Sequence, residues 1–252
     1  MDDQTFDEAC RFIIKLGEAA HRYGVTTYRL ESFLSQVSTA LGINGQFAVT
    51  PLSISFNFLR EGEQWQRSHF ARMSGIDFNM ARLTQISELM EQIASGKVTV
   101  LEGPARLEEI DRMPNPYGPL MLALAYGLAG AGFAVLMSSS WCDVLFGGLL
   151  SLVVYAIVFI AGRLQWVGSM LEPLAALTVA VLANGLALAA PGSNPFIVTM
   201  CALIVLVPGF GLVLGLGELS VNHMVSGASR LLGAIVVTCK LFFGAAIGAL
   251  IA

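Results

Sequence analysis

From Tyr117 to Ala252 the chain is almost wholly apolar residues, Gly and Ala; Asp143, Arg163, Glu172, Glu218, Arg230 and Lys240 are the charged residues there. A helix that crosses a bilayer needs about 20 predominantly apolar residues. This stretch holds enough for five, at about 118–137, 143–162, 168–190, 194–217 and 231–251. A mean hydropathy of +0.70 with 13% charged residues excludes a water-soluble globule for the chain as a whole. The fold class expected is therefore an α-helical integral membrane protein of about five transmembrane helices, 116–252, preceded by an N-terminal cytoplasmic α+β domain, 1–115.

The first 115 residues hold most of the charge, with a local net of −4, as an ordinary soluble domain does. Phe6, Cys10, Ile13, Ile14 and Gly17 recur at helical spacing and Gly24 stops the pattern. Thr26 or Thr27 can cap a second helix with Leu30, Phe33, Leu34, Val37 and Leu41 on one face, ending at Gly42. The period then changes from 3.6 to 2: Leu52, Ile54, Phe56 and Phe58 alternate with Ser53, Ser55 and Asn57, a strand with one wet face. Phe47 and Val49 suggest a short strand before Pro51, and Trp65 to Met73 can return after a turn at Glu61-Gly62. Asp77 is placed to cap a third helix through Leu83, Ile86, Met90 and Ile93, and Pro104 to open a fourth.

Several function classes fall away. No G-x-S-x-G, H-E-x-x-H or phosphate-loop motif is present, and His21 and His69 read as ordinary surface or half-buried residues, so no enzyme is expected. Cys10, Cys142, Cys201 and Cys239 share no metal spacing and act as small hydrophobes, so neither metal nor cofactor is expected. No basic patch points to nucleic acid. The acidic start, MDDQTFDEAC, lacks the basic and apolar regions of a signal peptide, which leaves the front domain in the cytoplasm. With that domain inside, Arg163 and Arg230 fall in cytoplasmic connections. The loops at Ser138–Ser140 and Pro191–Ser193 carry no basic residue, and the C-terminus comes out on the periplasmic or extracellular side.

The polar residues that hydrocarbon would exclude are the candidate sites. Lys240, near the middle of the fifth expected span, should face the bundle interior and pair with an anion, from the protein or from a substrate. Snorkelling is the alternative, with poor reach from mid-span. Pro208 cannot donate to the carbonyl of Ile204, and Gly209 loosens the helix further; this marks either a packing kink or the discontinuous helix of a transport site. Asn184 is a second buried polar candidate, or interhelical glue. Asp143 and Glu172 lie near span ends with structural or gating roles open to them. Glu218, His223 and Arg230 lie in a connection where a solvated loop is the default. Gly211/Gly215 and Gly244/Gly248 are G-x-x-x-G pairs that let helices approach closely.

The run Leu206-Val-Pro-Gly-Phe, followed by Glu218, His223, Gly227 and Arg230, resembles the signature region of the threonine/serine exporter family, in its short YjjP-like branch. His21-Arg-Tyr-Gly24, Arg29-Leu-Glu31, Gly42 and the strand region from Phe47 agree, so the resemblance covers nearly the whole chain; Glu218 stands where a close relative has Asp, and the charge is kept. The resemblance implies export of threonine and serine, or of C4 dicarboxylates such as succinate, across a bacterial inner membrane. It also implies a second small membrane subunit, in line with five spans that contain no second repeat. Together with the residues it gives an exporter subunit whose substrate binds near Pro208-Gly209, with Lys240 on its carboxylate and Asn184 nearby. Glu218, His223, Arg230, Asp143 and Glu172 stand beside that site as gating or structural groups. The rival is a regulatory or scaffolding membrane protein whose front domain binds a partner.

Overall fold

The computed structural model describes residues 3–60, 66–73, 79–99, 102–114, 116–164, 168 and 170–252. They form two compact units: one of Met1–Pro116 with Val213–Leu231, the other of Tyr117–Leu212 with Leu232–Ala252.

In the first unit, α1 (Asp3–Tyr23) and α2 (Thr27–Ala40) precede an antiparallel meander of β1 (Asn44–Thr50), β2 (Ser53–Leu59) and β3 (Gln66–Arg72). Helices α3 (Met80–Ala94) and α4 (Gly103–Arg112) follow. The alternation in β2 works as expected: Ile54, Phe56 and Phe58 are buried while Ser53, Ser55 and Asn57 are partly exposed. Phe56 pairs across the sheet with Phe47 on one side and His69 on the other. Ile54, Phe56 and Phe58 complete a core with Ile13 and Leu16 of α1, Leu30 and Leu34 of α2, and Ile86 and Met90 of α3. Leu52 departs from the expected pattern. It is 65% exposed because it sits in the Pro51-Leu52 turn ahead of the strand, where the alternation does not reach. Asp77, the expected cap of α3, and the expected Glu61-Gly62 turn and Trp65 lie outside the described residues; the residue that caps α3 is Asn79, whose side chain accepts from the Arg82 N–H.

In the second unit, α5 (Pro119–Leu136), α6 (Trp141–Ala161) and α7 (Leu171–Ala189) are each long and apolar enough to cross a membrane. So is α10 (Met224–Ile251), which begins in the first unit and ends in the second. Between them, α8 (Pro195–Leu203) with a 3-10 turn (Ile204–Leu206) meets α9 (Gly209–Ser220) at a bend of 56°, so the spans number five if this bent pair counts as one. The protein is a multi-pass membrane protein, and its burial pattern is that of a bilayer resident. Small and β-branched residues such as Val154, Ala176, Val179, Ala183, Val198 and Ala202 fill the interior, while Leu120, Leu128, Leu136 and Trp141 point outward.

Span α6 starts at Trp141, ahead of the expected 143, because Ser140 and Asp143 form a capping box. One Asp143 oxygen also accepts from Ser193 Oγ and the Asn194 N–H, both at 2.8 Å. Asp143, 3% exposed, thus ties the start of α6 to the connection ahead of α8, a structural task.

Candidate functional site

The turn between α9 and α10 is three residues, Val221–His223, closed by Asn222 in the left-handed region at φ 64°. So short a turn sets Glu218 and Arg230 on adjoining helix ends instead of in a solvated loop, which corrects the expectation for this segment. Glu218 is fully buried and Arg230 Nε donates to its Oε2 at 2.9 Å. Its other oxygen accepts from the N–H and hydroxyl of Thr27, at 3.3 and 3.1 Å, in the first turn of α2. A carboxylate there satisfies a helix N–H that would otherwise be orphaned. Thr26, at the N-cap position, makes no capping hydrogen bond, and its buried hydroxyl has no partner among the described residues. Gly227 lets the two helices meet: a Cβ there would lie 2.7 Å from the carbonyl oxygen of Gly215.

The same corner holds both histidines near the signature. His223 Nε2 lies 3.9 Å from Glu31, and its ring lies 6.0 Å from that of Tyr28. Glu31 also accepts from the Val49 N–H at 2.7 Å. His21 is 1% exposed, where a surface or half-buried residue was expected, because the α1 face that carries it also carries Leu16 and Ala20 into the core. Its Nε2 donates to the Thr50 carbonyl at 2.9 Å, which leaves Nδ1 as an acceptor with no partner among the described residues. Burial pushes the His21 pKa below its usual value, with Arg230 adding to the effect and Thr50 and Glu218 opposing it. The residues of the expected signature therefore link up: Glu218 bridges Thr27 and Arg230, His223 lies beside Glu31, and the charges of Arg230 and Glu218 reach His21. Sequence reasoning missed Thr27 as a ligand of Glu218. The available signal was two opposite charges, alone in an apolar run, flanking a three-residue turn.

In the second unit, Lys240 Nζ lies 3.4 Å from Glu172 Oε2, with the two side chains 40% and 20% exposed. The pair heads a seam between α7 and α10. A Cβ on Gly244 would strike the Pro173 carbonyl, and one on Gly248 would lie 2.6 Å from that of Leu177; Ala176 and Ala180 face the same two glycines. Glu172, Ala176 and Ala180 thus oppose Lys240, Gly244 and Gly248, each set spaced four residues apart on one helix face. Lys240 is accordingly level with the first turn of α7, and within the 28 residues of α10 it lies about 24 Å from the helix start and about 17 Å from its end.

Pro208 does break the fourth apolar segment, as expected, but the Ile204 carbonyl is not freed: the 3-10 tightening lets it accept from the Val207 N–H at 3.2 Å. Asn184 donates to the Ala180 carbonyl at 2.9 Å and lines a cavity of about 470 Å³ with Thr199, Val207, Thr238 and Leu241. The hydroxyls of Thr199 and Thr238 are turned to carbonyls of their own helices, and no charged residue lines the cavity. Lys240, Pro208 and Gly209 are not among its walls. The four residues expected around one substrate are therefore distributed over the ion pair, the helix break and an apolar cavity. Among the described residues no cluster of His, Cys, Asp and Glu could hold a metal ion.

The family model described as "Putative threonine/serine exporter" matches residues 11–252. The chain is similar to pheromone-regulated membrane protein 10 of Yarrowia lipolytica, 26% identical over 96% of this chain and 20% of that one. The protein of that name from Pichia sorbitophila is 28% identical over 95% of this chain and 24% of its own length. That from Saccharomyces cerevisiae is 26% identical over 94% and 31%. The chain thus spans less than a third of the length of these relatives. No solved structure matches it.

Proposed function

The chain belongs to the threonine/serine exporter family, and on that premise we propose that it is a subunit of a secondary exporter that moves small carboxylate-bearing metabolites, threonine and serine or C4 dicarboxylates such as succinate, out of the cytoplasm. The observation that carries the proposal is the Lys240–Glu172 pair, a cation and an anion seated in a seam of glycine and alanine. An ionisable residue in such surroundings is costly, and transport is its commonest justification. In this reading Lys240 receives the substrate carboxylate. The bend at Pro208-Gly209 is the hinge, and the Asn184 cavity gives the moving helices room. The N-terminal unit lies in the cytoplasm of a bacterial cell, the membrane is its inner membrane, and a second small membrane subunit completes the translocator.

Uptake of labelled serine, threonine and succinate into inverted vesicles, with and without the candidate second subunit, tests the reading. Uptake of at least one of them above empty-vesicle level is expected; a chain, alone and paired, that moves none would favour a regulatory or scaffolding protein. The orientation has its own check: a reporter fused after Ala252 should read as external, and one after Gly96 as cytoplasmic. The opposite result would overturn the placement of Arg163 and Arg230 inside.

A further inference from the structure

Four helices line the cavity beside Asn184: α8 and α10 supply most of its wall, α7 gives Ala180 and Asn184, and α5 gives Phe133. The lining is hydrocarbon apart from Asn184, Thr199 and Thr238, and both threonine hydroxyls donate to carbonyls of their own helices. Phe196 and Met200 of α8 and Phe242 of α10 share in it and are 70%, 46% and 68% exposed, so the cavity opens on the apolar outer surface of these helices. Small residues in a membrane bundle ordinarily bring helices together; Ala245, Ala246 and Ala249 of α10 border open space instead. Such an apolar opening holds no water, for want of polar partners, and left empty it forfeits the dispersion contacts of its walls. From this we infer that the cavity is a lipid site: one acyl chain of a membrane lipid fills it, and Asn184 donates to the ester carbonyl at the head of that chain.

Size and chemistry both select a chain. On α10 the lining runs from Thr238 to Ala249, about 16 Å, and on α8 with its 3-10 turn from Pro195 to Val207, about 20 Å. Both lengths are close to the depth of one leaflet, about 15 Å of a 30 Å hydrocarbon core. An apolar cavity of about 150 Å³ takes a six-carbon ring, so about 470 Å³ has room for roughly fifteen to twenty carbons. A helix about 10 Å across and of the same length would need roughly 1,300 Å³, and could only lie over the opening. No charged residue lines the cavity, so nothing in it reads the charge of a headgroup. Asn184 places one amide N–H on the Ala180 carbonyl, which fixes the orientation of the amide, and its second N–H has no partner among the described residues. In hydrocarbon that N–H is costly to leave unmet, and an ester carbonyl is the acceptor that a bilayer supplies. The wall includes Ile204 and Val207, just ahead of Pro208, so a seated chain braces the segment that bends and can withdraw when the helices move. Such a site requires only that these helices lie in a membrane, and it stands whether or not the chain exports.

The test is photolabelling of the full chain in phosphatidylcholine nanodiscs that contain a phosphatidylcholine with a diazirine near the end of one acyl chain. A second preparation carries the diazirine on the headgroup. Leu203 and Leu241 line the cavity and are only 6% and 7% exposed, so lipid that stays outside does not reach them; Leu128 of α5, 71% exposed, reports on surrounding lipid. The tail probe should label Leu203 and Leu241, and the headgroup probe should not. Ala246→Trp, which fills the cavity, should lower that labelling by about tenfold or more, a loss of about 1.4 kcal/mol of binding, and leave labelling of Leu128 unchanged. Ala249→Phe, at the exposed end of the wall, should act in the same direction and serves where the first variant does not fold. Unlabelled ester lipid should compete with the probe about fivefold better than its ether-linked analogue, the ratio that one hydrogen bond gives, and Asn184→Val should make the two equal. Absence of tail labelling at Leu203 and Leu241, or labelling that both filling variants leave unchanged, would overturn the lipid site. Equal competition by ester and ether lipids in the wild type would overturn the role of Asn184. Labelling seen in the purified chain but blocked in native membranes would assign the opening to a helix of a neighbouring protein instead.

Discussion

At the scale of single residues, the chain separates charges that hold structure from charges that are loosely held. Asp143 and Glu218 each accept three hydrogen bonds from partners other than themselves. Removing one partner of a buried pair leaves the other uncompensated, at a cost of about 3–5 kcal/mol. Glu218→Gln or Arg230→Met should therefore lower the thermal midpoint of the detergent-solubilised protein markedly, whereas Arg106→Ala, on an exposed pair, should not. Equal effects would remove the claim that the Thr27–Glu218–Arg230 corner is structural. His21 adds a pH dependence. Its folded pKa lies below the usual value of about 6.5, so the unfolded chain binds the proton more readily. The His21 contribution is complete above about pH 6.5 and is lost as pH falls below it. His21→Gln should flatten the loss of stability between pH 6.5 and 5; an unchanged slope would assign the acid sensitivity to other groups. The Cys10 thiol, pushed up to about 11 by burial, should stay unreactive to alkylation at neutral pH.

At the scale of elements, local chemistry was legible where a period or a breaker residue announced it. The two-residue alternation of Ile54, Phe56 and Phe58 gave the buried face of β2, and Pro208 gave the break in the fourth apolar segment. What could not be read was where helices end when no breaker stands there. Nothing in Met224–Arg230 distinguishes a loop from the first two turns of α10, so Glu218 was set too wet. Pairing across 191 residues, Thr27 with Glu218, leaves no periodic trace at all. The α7–α10 seam was half legible: Gly244 and Gly248 stand out as G-x-x-x-G, but their partner helix does not. A side chain at Gly248 should force the seam apart, since its Cβ would already lie 2.6 Å from the Leu177 carbonyl oxygen. Gly248→Leu should therefore lower the thermal midpoint of the detergent-solubilised protein, whereas Gly185→Leu, where a Cβ meets nothing within 4 Å, should leave it nearly unchanged. Equal midpoints for Gly248→Leu and wild type would show that the seam does not depend on glycine.

At the scale of the whole molecule, two units share two helices: α9 and α10 each begin in one unit and end in the other. The signature corner clamps the α9–α10 turn to the N-terminus of α2. The same two helices continue to the Pro208 break on one side and to Lys240 on the other. In the proposed exporter the substrate seat is Lys240. The most direct measurement is efflux of labelled serine from proteoliposomes holding the complete transporter with Lys240→Met. Because Lys240→Met leaves the Glu172 carboxylate without its partner, the change is made together with Glu172→Gln, which keeps the seam neutral so that the protein inserts and folds. It should nevertheless export at less than about a tenth of the wild-type rate, the loss that about 1.4 kcal/mol of transition-state or binding energy corresponds to. Wild-type efflux from a stably inserted Lys240→Met/Glu172→Gln protein would contradict the account and make the Lys240–Glu172 pair a structural one.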